Sequence, residues 1–432
     1  MAELYLYLLI AICIGLLGWG LIRLERIYQY PFFMGAIFIS FILPQGFSLL
    51  MSPGPVNQQA LERVLLMSCL CAAMCWVGYQ LPLSRTLITK LDVAINPKKL
   101  FHGGLIFIAV GSVSNFLISR LPDTVRDNTQ WTGIITIYAF FNGLIYPGLT
   151  VILLSTLRRP TAGKIILTAC AAAFPLQAII FYGRREPTAT FVLTIGLSLY
   201  FVHRLIPPRW VAASLVVLAL FAIPLTASYR TIAKTGDWNQ LSQLNPLESL
   251  ESFVKEGEFL ELRNAALLMD AAIQTRQYGW GTEYWNTLVF RFIPAQLVGN
   301  DLKKSLQIQI VNYDLQSLYG YRIPTGLTIT GVGDAFTQFD YLGCLFFFFL
   351  AYLFKNLWIS AIYRDSIVSQ VFYVSLFAPA MISVTHGTVR FFPDFVFNFI
   401  FIGCVVLYSR RQAIKPKQIN EGYAALVNDE NS

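Results

Sequence analysis

Residues 4–22 read LYLYLLIAICIGLLGWGLI, running from Leu4 to Ile22 without one charged side chain. Wound as a helix at about 1.5 Å per residue, such a run crosses the roughly 30 Å hydrocarbon core of a bilayer. Lipid offers the backbone no water, so every peptide group must be satisfied inside the segment, which makes it a helix. The pattern recurs near 32–51, 64–83, 100–118, 131–157, 164–181, 189–203, 210–228, 336–358, 367–385 and 391–409, about eleven runs in all, with 189–203 the shortest. The fold class expected is all-α, a polytopic integral membrane protein with about 11 transmembrane helices and one long extracytoplasmic loop. Composition agrees: the chain is 56% hydrophobic and 13% charged, with a mean hydropathy of +0.57. That charged share is about half of what a soluble domain carries. The first run does not read as a cleaved signal peptide, because Met1-Ala2-Glu3 supplies no basic start and Arg23 and Arg26 follow it.

The net charge of +8 does not point to nucleic acid, because the basic residues are scattered through short loops between apolar runs. Their distribution reads as topology. Arg23 and Arg26, then Arg85, Lys90, Lys98 and Lys99, then Arg158, Arg159 and Lys164, then Arg204 and Arg209, then Lys355 and Arg364, and finally Arg410, Arg411, Lys415 and Lys417 fall on one side. Positive residues in short loops mark the cytoplasmic face. The N-terminus is therefore expected outside and the C-terminus in the cytoplasm, in a multi-pass protein of the cytoplasmic (inner) membrane. All seven cysteines (13, 69, 71, 75, 170, 344 and 404) lie in apolar runs, so the outer region is no disulfide scaffold. Cys71 and Cys75 stand one helical turn apart, but no histidine or carboxylate accompanies them, and they read as packing rather than a metal site.

Four regions follow: helices 1–8 over 1–228, an outer loop over 229–335, helices 9–11 over 336–409, and a cytoplasmic tail over 410–432. The end of the tail, from Lys415 to Ser432, is polar enough to be disordered. A loop of about a hundred residues needs structure of its own in a compact protein. Leu262, Ala265, Ala266, Met269, Ala272 and Ile273 recur at helical spacing and predict an amphipathic helix on the outer surface. After the turn Tyr278-Gly279-Trp280-Gly281, the stretch from Trp285 to Pro294 is too short to span and carries Arg291 in its middle, which suits an interfacial or re-entrant segment.

Outside the membrane there is no nucleotide-activated substrate, so an enzyme working there needs a substrate that carries its own activation. A lipid-linked pyrophosphate sugar does, and its departing pyrophosphate must be neutralised by a metal or by arginine and lysine. No Asp-x-Asp pair stands in the outer loops, so no metal or other cofactor is expected and the outer arginines become the candidates: Arg184, Arg185, Arg263, Arg291, Arg322 and Arg390. Arg184 and Arg185 are adjacent in Phe181-Tyr182-Gly183-Arg184-Arg185-Glu186-Pro187, on the side where the charge rule disfavours them. A guanidinium pair there can hold a doubly charged anion. Each arginine also has an ordinary reading: Arg263 pairing with Glu258 or Glu261, the Arg184–Arg185 pair snorkelling to headgroups, Arg322 as a solvated turn charge. Of the three histidines only His386 is expected outside, four residues before Arg390, which makes it a candidate general base. Glu186, Glu261, Asp270, Glu283 and Asp334 are the other candidates, and the sequence does not rank them. Gly-x-Ser-x-Gly, His-Glu-x-x-His and the phosphate loop are all absent. That argues against a serine hydrolase, a metalloprotease and an ATP-driven pump.

Three features together resemble a family. Gly183-Arg184-Arg185 at a helix mouth is similar to the Gly-x-Arg element of Wzy-type O-antigen (oligosaccharide repeat-unit) polymerases. The stretch Tyr278-Gly279-Trp280-Gly281 through Phe290-Arg291-Phe292-Ile293-Pro294 and on to Asp301-Leu302-Lys303-Lys304 resembles their long outer loop, with Ala295 standing where an arginine often follows the proline. Thr328-Ile329-Thr330-Gly331 through Asp340-Tyr341-Leu342-Gly343 is similar to the segment that returns to the membrane. The resemblance implies a fold like that of lipid-dependent membrane glycosyltransferases and a reaction that transfers a growing glycan from undecaprenyl pyrophosphate to a fresh lipid-linked repeat unit. It implies that Arg184, Arg185 and Arg291 cradle pyrophosphate, that Arg263, Arg322 and Arg390 complete the anion site, and that His386 or a loop carboxylate takes the acceptor proton. The partners it implies are the undecaprenyl-pyrophosphate-linked oligosaccharide, membrane lipid and a chain-length regulator. A ligase using the same donor, or a polysaccharide transporter or flippase, are the alternatives.

Overall fold

The computed structural model of the protein describes residues 1–122, 125, 133–183, 185–235, 239, 245, 261–324 and 327–411. Among these residues the chain is all-helical, with one isolated bridge between Ile95 and Arg410 in place of any sheet. Helices α1 (Ala2–Ile22), α2 (Tyr30–Met51), α3 (Gln58–Gln80), α4 (Pro97–Ser119), α5 (Ile134–Arg158), α6 (Ala162–Tyr182), α7 (Arg185–His203) and α8 (Arg209–Thr235) come first. Next come α9 (Glu261–Thr275), α10 (Thr282–Phe292) and α11 (Thr330–Phe339), with short turns of helix between the last two. The chain closes with α12 (Leu345–Tyr363), α13 (Ile367–His386) and α14 (Phe391–Ser409).

Nine helical stretches among the described residues are long and apolar enough to cross a membrane, with α11 and α12 counted as one. The two other expected spans, at 189–203 and 210–228, are helical but differ. In α7 the first turn holds Arg185 and Glu186, which leaves a short apolar remainder. In α8 the apolar stretch is Arg209–Phe221. Two spans are broken. A π-turn at Phe38–Ile42 precedes Pro44 in α2, where the missing N–H and the bulk of the ring disfavour regular helix. Between α11 and α12 a 3-10 turn, Asp340–Cys344, interrupts the run read as 336–358.

The basic loops gather at one end of the bundle. Tyr28 donates to the Leu205 carbonyl at 3.0 Å, Lys355 to Leu81 at 3.0 Å and Ser366 to Leu91 at 2.6 Å. Arg158 pairs with Asp365 at 2.7 Å, and the Asn96 amide meets the Ser409 carbonyl at 2.8 Å. The charge pattern and the packing thus select the same set of loops. The tail expected to be disordered lies, from 412 onward, outside the described residues.

The opposite end holds the 261–339 region, and here one expectation changes. Instead of lying on a surface, α9 is packed on nearly all sides: Leu262, Asn264, Ala265, Ala266, Leu267, Met269, Asp270, Ala271 and Ala272 are buried. It sits against α3 and α11. Alanines on both faces permit that, because only small side chains let helix backbones approach from several directions. Gln45, buried next to the break in α2, accepts from the Leu262 amide at 2.9 Å and so satisfies one free N–H at the start of α9. Asp270, 3% exposed, accepts from Asn57 (3.1 Å), Arg63 (2.6 Å), Gln274 (2.8 Å) and Tyr319 (2.8 Å). Asn57 also caps α3 through the Ala60 amide at 2.8 Å, so a single knot joins α3, α9 and the turn at Leu315–Tyr319. In α11 a Cβ at Gly331 would collide with the Ser383 carbonyl, which ties that position to close contact with α13.

Removing one partner of a buried ion pair leaves an uncompensated charge, a loss of roughly 3 kcal/mol where one side chain keeps partial solvent access. Arg63→Ala is therefore expected to lower the thermal midpoint of the purified protein in detergent clearly, and Arg63→Ala with Asp270→Asn to recover part of the loss. An unchanged midpoint in the single variant would show that the pair holds nothing.

Candidate functional site

Helix α10 is fixed at its start by the end of α11. The Gly279 amide donates to the Thr337 carbonyl (2.9 Å), Trp280 to the Gln338 carbonyl (2.8 Å), and Gly281 to the Gln338 side chain (3.1 Å). One turn back along α11 lies Asp334, 2% exposed. Its Oδ2 accepts from Thr388 Oγ1 at 2.6 Å and from the Val389 amide at 2.8 Å. The Thr388 proton is committed to Asp334, so Tyr284 of α10 donates to Thr388. Asp334 thereby joins α10, α11 and the turn Thr388–Arg390 that links α13 to α14.

Adjacent residues of α10 line two different cavities. Glu283 lines a polar one of about 430 Å³, with Asn312, Tyr313, Asp314, Arg322 and Thr337. Tyr284 lines an apolar one of about 540 Å³, walled by Phe346, Phe349 and Leu350 of α12 and Phe392 and Phe395 of α14. A polar chamber thus backs onto a greasy slot across one turn of helix.

Burial, followed by the nearby Asp334 charge, pushes the Glu283 carboxyl up to about 7. No hydrogen bond or ion pair to its carboxylate is found among the described residues. Burial and the Glu283 charge push Tyr313 up to about 12, and its hydroxyl donates to the Gln277 carbonyl at 2.7 Å. Asp314, at the mouth, is held below the usual carboxylate range by hydrogen bonds from Ser317, with a smaller contribution from the Arg322 charge.

The arginines do not share one place. Arg184 lies outside the described residues, as does the side chain of Arg185; Gly183 ends α6 in the left-handed conformation, its amide on the Ile179 carbonyl at 3.1 Å. Arg291 is internally satisfied: it pairs with Asp394 of α14 and stacks on Phe397 at 5.0 Å. That pairing answers the cost of an arginine in an apolar stretch. Arg263 donates to the Ser52 carbonyl at 2.7 Å; Glu258, one of the two carboxylates expected for it, lies outside the described residues. Burial pushes the Tyr321 hydroxyl up, an effect that the nearby Arg263 charge only partly offsets, and Tyr321 lines the polar cavity with Arg322. Arg322 and Arg390 are both exposed, and of the arginines only Arg322 lines a described cavity. His386 is partly buried, with Nδ1 at 2.6 Å from Thr385 Oγ1. Among the described residues no cluster of histidine, cysteine and carboxylate has a metal-binding arrangement.

Several site residues were not singled out from the sequence: Tyr284, Asn312, Tyr313 and Thr388 around the cavities, and Asp394 as the partner of Arg291. Asp394 did carry a signal, being the one acid in the apolar run 391–409. No family model, curated protein or solved structure matches the chain.

A carboxyl that ionises less readily folded than unfolded weakens the fold as pH rises from its ordinary value of 4.5, fully so above about 7. Glu283→Gln removes that cost. It is expected to raise stability at pH 8 by at most about 3 kcal/mol and to leave it unchanged near pH 4.5. Thermal unfolding across this range checks both the sign and the window.

Proposed function

We propose that this chain is a membrane glycosyltransferase that polymerises lipid-linked oligosaccharide repeat units, taking the growing glycan from undecaprenyl pyrophosphate at the outer face of the cytoplasmic membrane. The observation that carries the reading is the pair of cavities on either side of α10. The proposed donor is an amphiphile with a long isoprenoid tail and a doubly charged head bearing sugars. An aromatic slot between helices suits the tail, and a polar chamber with a guanidinium suits the head. The resemblance to Wzy-type polymerases supplies the reaction, and the helical bundle with its structured 261–339 region supports it.

In this reading Arg322 meets the pyrophosphate and Arg263 adds positive potential from the neighbouring wall. Arg390, Arg184 and Arg185 serve lipid-linked substrate as it approaches. Arg291 holds α10 to α14 through Asp394 and contacts no substrate. The N-terminus faces outward and the basic loops face the cytoplasm. A transporter is the second reading, favoured by the break between α11 and α12, since interrupted helices line many transport sites.

The test uses purified protein in detergent with undecaprenyl-pyrophosphate-linked repeat units and no sealed compartment. A ladder of longer lipid-linked products is expected. Arg322→Ala should slow its formation at least tenfold, as loss of a charge that pairs with the substrate's pyrophosphate does, while Arg291→Ala should act mainly by lowering the amount of folded protein. No elongation by the wild type would refute the polymerase reading. Unattached long glycan accumulating in a deletion strain would point to a ligase instead.

A further inference from the structure

We propose that Glu283 is the group that takes the proton from the attacking sugar hydroxyl, with Asp334 as its positioning residue; the inference rests on the glycosyltransferase reading above. Six groups compete for this role. Asp270 is committed to four donors, one of them the Arg63 guanidinium. Asp334 is buried and holds Thr388 and the Val389 amide. Glu261 is buried at the start of α9, and Glu186 lies in the first turn of α7; neither lines the polar cavity. His386 has Nδ1 against Thr385 and is likewise absent from the cavity wall. Glu283 alone of the six faces the chamber; the other carboxylate there, Asp314, is exposed and held acidic by hydrogen bonds from Ser317.

Its placement suits the task. Three hydrogen bonds fix the turn ahead of it to α11, and the Tyr284–Thr388–Asp334 chain fixes the next residue. The side chain is therefore delivered from a rigid base. The ionisable and charged groups around it are Asp334 from α11, Tyr313, Asp314 and Arg322 from the 311–323 stretch, and Tyr284 on its own helix; from the turn and helix that α10 packs against, Asp394 is paired with Arg291. Burial and the Asp334 charge make Glu283 a stronger base than an ordinary carboxylate, where a general base works best near the ambient pH.

The step balances. The acceptor O–H bond breaks and its proton goes to a Glu283 oxygen. The acceptor oxygen forms a bond to the anomeric carbon of the donor glycan. The bond from that carbon to the pyrophosphate oxygen breaks, and undecaprenyl pyrophosphate leaves with the electron pair. Glu283 then returns its proton to water through the cavity mouth.

The test measures single-turnover elongation by purified wild type, Glu283→Gln and Glu283→Asp from pH 5 to 9, alongside the Kd of each for undecaprenyl pyrophosphate. The wild-type rate should fall about tenfold per pH unit below the Glu283 transition. Glu283→Gln should lose at least 100-fold and the acid limb, with Kd within about threefold of wild type. Glu283→Asp should keep the acid limb at reduced rate. A Glu283→Gln rate near wild type, or an acid limb that survives in Glu283→Gln and vanishes in His386→Ala, would overturn the assignment while leaving the glycosyltransferase reading intact. A wild type that binds undecaprenyl pyrophosphate but elongates at no pH would overturn the reading itself.

Discussion

The half of this molecule that holds the two cavities depends on one buried carboxylate. Asp334 sits where three segments far apart in sequence must meet: α10, α11 and the turn at Thr388–Arg390. A carboxylate out of water is unfavourable unless donors surround it, and the Thr388 hydroxyl and the Val389 amide provide them. The reach of that interaction exceeds its two bonds. Through Thr388 it orients Tyr284, and through its charge it alters the proton affinity of Glu283. A structural anchor and a tuned cavity wall thus arise from the same group.

Much of the architecture was legible because lipid imposes a strict rule on the backbone. Any uncharged run near twenty residues must be helical, and Leu4–Ile22 and 367–385 follow it closely. The loops rich in arginine and lysine also group as the charge rule implies. What the rule does not govern was harder. The 262–273 periodicity looked like a surface helix because one flank carries Arg263 and Asp270. Those charges instead meet partners in the structure, Ser52 and Arg63, supplied from residues roughly 200 positions away. No local pattern encodes such pairs.

The same limit applies to the site. Arg291 looked like a substrate ligand because an apolar segment should not carry a charge without cause. The cause is Asp394, about one hundred residues downstream. Glu283 was one of several equivalent carboxylates in the sequence, and its place in the cavity wall separates it from Asp270, whose bonds are all taken. Arginine and acid content marks the loops of this end as electrostatically unusual. Which charges neutralise each other and which remain for a ligand is decided by tertiary contacts.

The proposed amphiphilic substrate needs two environments within one turn of helix, and Glu283 and Tyr284 of α10 line a polar and an apolar cavity. The most direct test is a cryo-electron microscopy map of the full chain with undecaprenyl pyrophosphate bound. The account predicts phosphate density in the chamber beside Arg322 and tail density between Phe346 and Phe392. Lipid density elsewhere, for instance at the α6–α7 hairpin, with both cavities empty would contradict it.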